Sequence, residues 1–179
     1  MKRNIILALI LKLATLTALA QGIVGTWESD EIEAETGGSG TCTWKFEPNG
    51  KAIQEIYFHE SFTNIKGAEL RVIITAPGLY FIEEEKALTF NFDRSKIDIK
   101  FDFLLDENEL VKNGLPADKI PLFKQYLNEQ MQGKREQLKM LIKQSAIVQV
   151  LYNDGRQMVF ASPQDDFWKG RNEMFRIIK

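Results

Sequence analysis

Two side chains able to act as a nucleophile or a base at neutral pH occur once each in the 179 residues, Cys42 and His59. A serine nucleophile needs a neighbouring base, and His59 is the only imidazole that can supply one. A zinc site needs further His or Cys ligands, which the composition does not provide. His59 alternates with Tyr57, Glu55 and Ile53 on one strand face, a mixed polar surface on which a histidine is ordinarily exposed or hydrogen-bonded. Cys42 alternates with Trp44 and Phe46, so it reads as a buried, inert thiol. Hydrolysis by paired carboxylates requires two acids facing one another across a substrate, with one pKa raised by burial. The acidic clusters, Asp30 to Glu35, Glu83-Glu84-Glu85 and Asp165-Asp166, all fall in expected turns and read as solvated charge. No Gly-rich loop joins a strand to a helix in the phosphate-binding pattern. The sequence therefore assigns no catalytic residue, metal ligand or cofactor, and a non-catalytic protein is expected.

The elements that would hold these residues are mostly strands. From Val24 to Phe103 apolar and polar residues alternate with period two, broken by turn residues, the pattern of half-buried antiparallel strands. In Lys96 to Phe103, Ile97, Ile99, Phe101 and Phe103 share one face while Lys96, Asp98, Lys100 and Asp102 share the other. Leu88, Phe90 and Phe92 precede it, and with Asp93-Arg94-Ser95 as the turn the two runs read as a hairpin. Thr41–Glu47 and Ala52–Glu60 flank Pro48-Asn49-Gly50, a second hairpin; Ala146–Tyr152 and Gln157–Ala161 flank Asn153-Asp154-Gly155, a third. Glu69–Ala76 is expected to end at Pro77-Gly78 before a separate run, Leu79–Ile82. Val24–Glu28 and Glu173–Ile178 are the first and last strands, for about eight to ten in all, joined by short turns into an up-and-down sheet closed on itself or a sandwich.

One segment breaks the pattern. Ile120, Phe123, Leu127, Gln130 or Met131, Leu138, Leu141 and Ile142 recur at helical spacing, predicting an amphipathic helix over about 119–144. Asp118 is its expected N-cap, Pro121 sits in the first turn, and Gly133 marks a kink or a division into two helices. Ser29 to Gly40 reads as an acidic, Gly-rich loop and 162–166 as a turn.

Lys2 and Arg3, the apolar stretch Ile5–Leu19 and the small-residue site Ala18-Leu19-Ala20 have the layout of a secretory signal peptide spanning residues 1–20. The competing reading, an uncleaved anchor, fits less well, because Lys12 interrupts a stretch shorter than the ~20 apolar residues of a spanning helix. No cysteine stands near the cleavage point to take a lipid. Residues 21–179 then form one exported domain, periplasmic or secreted, with no stable membrane anchor. They carry 20 basic against 25 acidic residues, which argues against a nucleic-acid partner.

Gly25-Thr26-Trp27 opens this domain, Thr43-Trp44-Lys45-Phe46-Glu47-Pro48-Asn49-Gly50 gives a later strand and turn, and Gly78-Leu79-Tyr80 begins another strand. Together these resemble the exported lipocalin-like proteins of Gram-negative bacteria, over roughly Ile23 to Phe103. The resemblance implies an antiparallel up-and-down β-barrel of about eight strands. It also implies a structural closure in which the Trp of the Gly-x-Trp motif packs against a basic residue of the last strand: here Gly25, Trp27 and Arg176, with Arg171 as the alternative partner. A guanidinium over an indole is attracted by the ring quadrupole in any fold. The sequence departs from the family in placing its helix before the last two strands and in lacking the disulfide many lipocalins carry.

The expected interior faces hold Trp44, Phe46, Ile56, Phe58, Leu88, Phe90, Phe92, Phe101 and Phe103. Of these, Trp44, Phe46, Phe58, Phe90, Phe92, Phe101 and Phe103 are the candidate ligand-binding residues, for a small hydrophobic or amphipathic molecule inside the barrel. A fully packed barrel acting on a protein partner, as an interaction or inhibitor module of the cell envelope, is the alternative.

Overall fold

The computed structural model describes residues 22–33, 38–62, 65–83, 87–142, 145–161 and 171–177. The signal segment, the 162–166 turn, Glu84, Glu85, Asp165 and Asp166 lie outside the described residues. The chain is mainly β and antiparallel. Its strands are β1 (Gly25–Ser29), β2 (Ile32–Glu33), β3 (Ser39–Phe46), β4 (Lys51–Ser61), β5 (Ala68–Ile82), β6 (Ala87–Phe92), β7 (Asp98–Leu105), β8 (Ser145–Asn153), β9 (Gln157–Ala161) and β10 (Arg171–Arg176). Two helices, α1 (Glu107–Lys112) and α2 (Ile120–Leu141), separate β7 from β8. Among the described residues no helix is long and apolar enough to cross a membrane.

The sheet closes on itself through β1, which pairs on one side with β3 (Gly25↔Phe46 to Glu28↔Thr43) and on the other with β10 (Trp27↔Arg176 to Ser29↔Met174). The ring runs β1-β3-β4-β5-β6-β8-β9-β10 and back to β1. Closure leaves none of these eight strands at an edge where the ring is complete. β2 continues β1 along β3 (Ile32↔Gly40), and the lapse between them is bridged by Ser29, whose buried Oγ accepts the Cys42 backbone N–H at 2.9 Å. A buried N–H that loses its ladder partner is thereby still satisfied.

Two turns behave as their residues dictate. Gly50 (φ 81) and Gly155 (φ 85) hold the positive φ that lets strands reverse tightly. Asp154 Oδ1 accepts from the Arg156 and Gln157 amides at 2.8 Å each, and these bonds hold its carboxyl below the usual range.

Several expectations need correction. The runs over 88–92 and 96–103 do not form a hairpin: β6 and β7 pair one after the other with β5 (Gly78↔Phe92, then Thr75↔Asp98). A single 3₁₀ turn, Arg94–Lys96, links them without reversing the chain, capped by Asp93, which accepts from Ser95 N at 3.2 Å. Lys96 and Ser95 together hold the Asp93 carboxyl below its usual range. Nor does Pro77-Gly78 end a strand, since β5 runs through both. Pro77 has no N–H to lose, its carbonyl accepts from Asp93 N at 2.9 Å, and a Cβ on Gly78 would stand 2.3 Å from Asn91 O.

The helix is one piece through Gly133, which borders open space. Lys119 takes the N-cap position with no side-chain bond, Asp118 lies in the preceding 3₁₀ turn, and three strands rather than two follow the helix. The short α1 was not expected, although Asp106 accepting from Glu109 N at 3.0 Å, with Glu107 and Glu109 in the first turn, is a standard opening.

The described parts of β8, β9 and β10 run level with β6 and β1. β3, β4 and β5 continue beyond them, accompanied by β2 and β7. At that level α2 packs against β7. Ile120 and Leu127 are buried, and Phe123, Met131, Leu138 and Ile142 pack on the core. The C-terminal end of α2 is tied down by Arg94 Nη2, which donates to Ile142 O at 3.2 Å.

Candidate functional site

The barrel interior divides into two levels with different character. At the closed end Trp27 is fully buried, its Nε1 donates to Ile23 O at 2.7 Å, and the Arg176 guanidinium lies 5.6 Å from its ring centroid. Arg176 also donates from Nη2 to Val24 O (2.7 Å) and from Nη1 to Gly155 O (3.2 Å), so one side chain joins β1, β10 and the β8–β9 turn. A Cβ on Gly25 would stand 3.0 Å from Nη2 and 3.1 Å from Nε, and Gly25 keeps a φ of 143. The close approach of the fork and the positive φ both favour a residue without a side chain here. Arg171, on β10, is in register with Ala161 of β9, and its side chain is not among those described.

Above this end an aromatic cluster fills the ring. Trp44 stands 4.3 Å from Phe90, 5.7 Å from Phe46 and 6.0 Å from Phe92 by ring centroids; Phe46 meets the edge of Tyr80 at 5.2 Å. Such pairs add ~0.5–1.5 kcal/mol each beyond the area they bury. Tyr80 keeps its hydroxyl satisfied by donating to Glu47 O at 3.0 Å, while burial raises its pKa. Cys42 sits one row further along β3, opposite Ile56, where burial pushes the thiol up to about 12 and Gln54 Nε2 donates weakly to Sγ at 3.5 Å. A thiol held protonated in this way is neither a nucleophile nor a metal ligand at neutral pH.

The candidate ligand residues thus separate. Trp44, Phe46, Phe90, Phe92 and Phe103 are buried in the packed core. Phe58 and Phe101 face inward but keep partial exposure, as do Ile56 and Ile74. These four belong to two rows running across β4, β5 and β7: Phe58–Val72–Phe101 and Ile56–Ile74–Ile99. Phe58 lies against Gly38, where a Cβ would stand 2.3 Å from its Cζ. At this upper level Val72 and Ile99 are buried, while Ile56, Phe58, Ile74 and Phe101 pack on the core and keep partial exposure, with α2 packed against β7 beside them.

His59 lies on the outer wall with Tyr57, whose ring meets it edge-on at 6.0 Å. Its Nε2 is 2.6 Å from Ser39 Oγ and 3.9 Å from Glu31 Oε1, and the Ser39 hydroxyl donates to Glu31. The carboxylate stands on the serine side of the ring, with both partners at the same ring nitrogen. In a Ser–His–acid triad the acid instead holds the far nitrogen and leaves the near one to take the serine proton. Among the described residues no group of three or more His, Cys, Asp or Glu is placed to hold a metal ion.

One feature of α2 lay unread in the sequence. Arg135 is four residues after Met131 and three before Leu138, on the stripe turned to the core, and its Nε is shut off from solvent with no hydrogen-bond partner among the described residues. The spacing alone contains the signal, a charged residue filling a gap in an apolar stripe. The chain matches no family model and no curated protein.

Proposed function

We propose that the protein is an exported, lipocalin-like, non-catalytic binder that holds an apolar or amphipathic small molecule in the upper level of its barrel. The observation that carries this reading is the exposure of Ile56, Phe58, Ile74 and Phe101, which face inward above a floor already filled by Trp44, Phe46 and Phe90. Apolar side chains on the inside of a wall ordinarily lose their water to one another, and here they retain some of it. Small eight-stranded barrels either fill with side chains or leave room for one small ligand. This one is filled at one end. Export is supported by the residue pattern of 1–20, and an intact mass beginning at Gln21 for protein recovered outside the cytoplasm is the expected result.

The binding reading is tested by extracting purified protein into organic solvent for mass spectrometry and titrating the stripped protein with Nile red. A co-purifying apolar molecule, or saturable dye binding lost in Phe58→Glu, supports it. Absence of both a bound molecule and saturable dye binding contradicts it.

A second reading, a module acting on a protein partner, is favoured by the outer wall. Leu79, Phe81 and Ile147 are 46%, 49% and 45% exposed there, and Phe81 and Ile147 flank Thr89 across three strands. Phe81→Glu with Ile147→Glu would abolish association on that reading and leave Nile red binding unchanged.

A further inference from the structure

We infer that β7 is a docking edge for a second copy of the chain: two β7 strands pair antiparallel about a twofold axis at Phe101, with Lys100 of each copy opposite Asp102 of the other. Such a contact does not depend on what the barrel binds.

β7 stands outside the closed ring. It pairs with β5 on one side, in an unbroken register from Thr75↔Asp98 to Ala68↔Leu105, and among the described residues no strand pairs with its other side. Asp106 N donates to Gly67 O at 2.7 Å, which sets the phase of this ladder. Hydrogen-bonded positions alternate along an antiparallel pair, so Asp98, Lys100, Asp102 and Leu104 spend their amides and carbonyls on β5, while Ile99, Phe101 and Phe103 direct theirs away from it. Among the described residues those three amides have no backbone acceptor. α2 packs against β7 with Ile120 and Leu127 buried in the core, and the outward side chains Asp98, Lys100, Asp102 and Leu104 stay exposed. Folded chains ordinarily blunt such an edge with proline, a bulge or a short strand; these eight residues contain no proline and no break in register.

The edge is also self-complementary in charge. Placing Phe101 on its own symmetry copy brings Ile99 opposite Phe103, so the outward-directed positions exchange backbone bonds with one another. The same register sets Lys100 opposite Asp102 twice, at the non-hydrogen-bonded positions where facing side chains come closest. Sliding one strand by two residues, the smallest step that keeps the faces matched, puts Lys100 against Lys100 in one direction and Asp102 against Asp102 in the other. The charges thus favour one register over its neighbours, and a twofold contact between identical strands is closed rather than open-ended. An edge-to-edge contact buries little surface, so the dimer is expected to be reversible, with a dissociation constant on the order of 100 µM.

The test is sedimentation velocity of the purified protein from about 10 µM to about 1 mM, with a monomer–dimer equilibrium expected for wild type. Asp102→Lys and Lys100→Asp each set like charges at both symmetric pairs and should weaken the dimer roughly 10-fold or more. An equimolar mixture of the two variants, or the double variant carrying both changes, restores opposite charges and should restore association. Both positions are exposed, so each variant should melt close to wild type, and lost association is then not a sign of a damaged fold. Amide hydrogen exchange locates the contact: the Ile99, Phe101 and Phe103 amides should exchange rapidly in dilute protein and slow as the dimer forms. A protein that stays monomeric throughout, a dimer indifferent to the single charge changes or not restored by the mixture and the double variant, or protection of those three amides that does not vary with concentration overturns the β7 contact.

Discussion

Replacing Arg176 by alanine removes three contacts from the closed end of the barrel: the cation over Trp27 at 5.6 Å and the bonds to Val24 O at 2.7 Å and Gly155 O at 3.2 Å. The first is worth ~1 kcal/mol for a partly desolvated pair, and hydrogen bonds from a charged donor ~1.5 kcal/mol each, so the expected loss is about 4 kcal/mol. Arg176→Lys keeps the charge but not the fork that reaches two carbonyls at once, and recovers about half of that. Urea unfolding followed by far-UV circular dichroism and tryptophan fluorescence reads the change as a lower midpoint at unchanged slope. In thermal unfolding the same loss appears as a drop of about 10 °C. Arg156→Ala, an exposed arginine in the neighbouring turn, serves as the control and should fall within about 0.5 kcal/mol of wild type. If Arg176→Ala behaves like Arg156→Ala, the barrel does not depend on this closure and the reasoning fails.

Gly40→Ala should be strongly destabilising, about 1–3 kcal/mol or more, because its Cβ would sit 2.2 Å from Tyr57 O and force β3 away from β4; a midpoint equal to wild type in the same unfolding assay would contradict the pairing. Cys42 should resist a thiol reagent at pH 8 until the protein unfolds, since burial pushes its pKa to about 12. Above an ordinary thiol value near 9 the unfolded chain releases this proton while the folded chain retains it. Stability contributed by the thiol is therefore complete below that value and falls between about pH 9 and 12, by ~1.4 kcal/mol per pH unit for one proton. Cys42→Val should flatten that alkaline slope, and an unchanged slope would show that Cys42 is not its source.

Alternation placed most strands within a residue or two, and Asn49-Gly50 and Asp154-Gly155 located two reversals, because positive φ is written in residue type. Partners are not. Asp93-Arg94-Ser95 suits a hairpin as well as the 3₁₀ turn that carries β6 into β7, and the choice is made by β5, whose fifteen residues accommodate both strands in series. Pro77-Gly78 reads as a breaker from local preference, but tertiary pairing uses the missing N–H and missing Cβ to seat β6. For the site, the inward aromatic faces were legible while their division was not. Trp44 and Phe101 look alike along the chain, and only packing makes one a floor and the other a wall with water against it. Arg135 was hidden among the many charged residues of an amphipathic helix, where a cation is unremarkable unless its neighbours three and four residues away, Leu138 and Met131, are known to pack on the core.

The central claim, a ligand held against the upper inner wall, is tested most directly by amide and methyl NMR of the labelled protein titrated with Nile red. Shifts concentrated at Ile56, Phe58, Ile74 and Phe101 are the expected result. Shifts confined to the outer wall around Leu79, Phe81 and Ile147, or no saturable shifts at all, would contradict it.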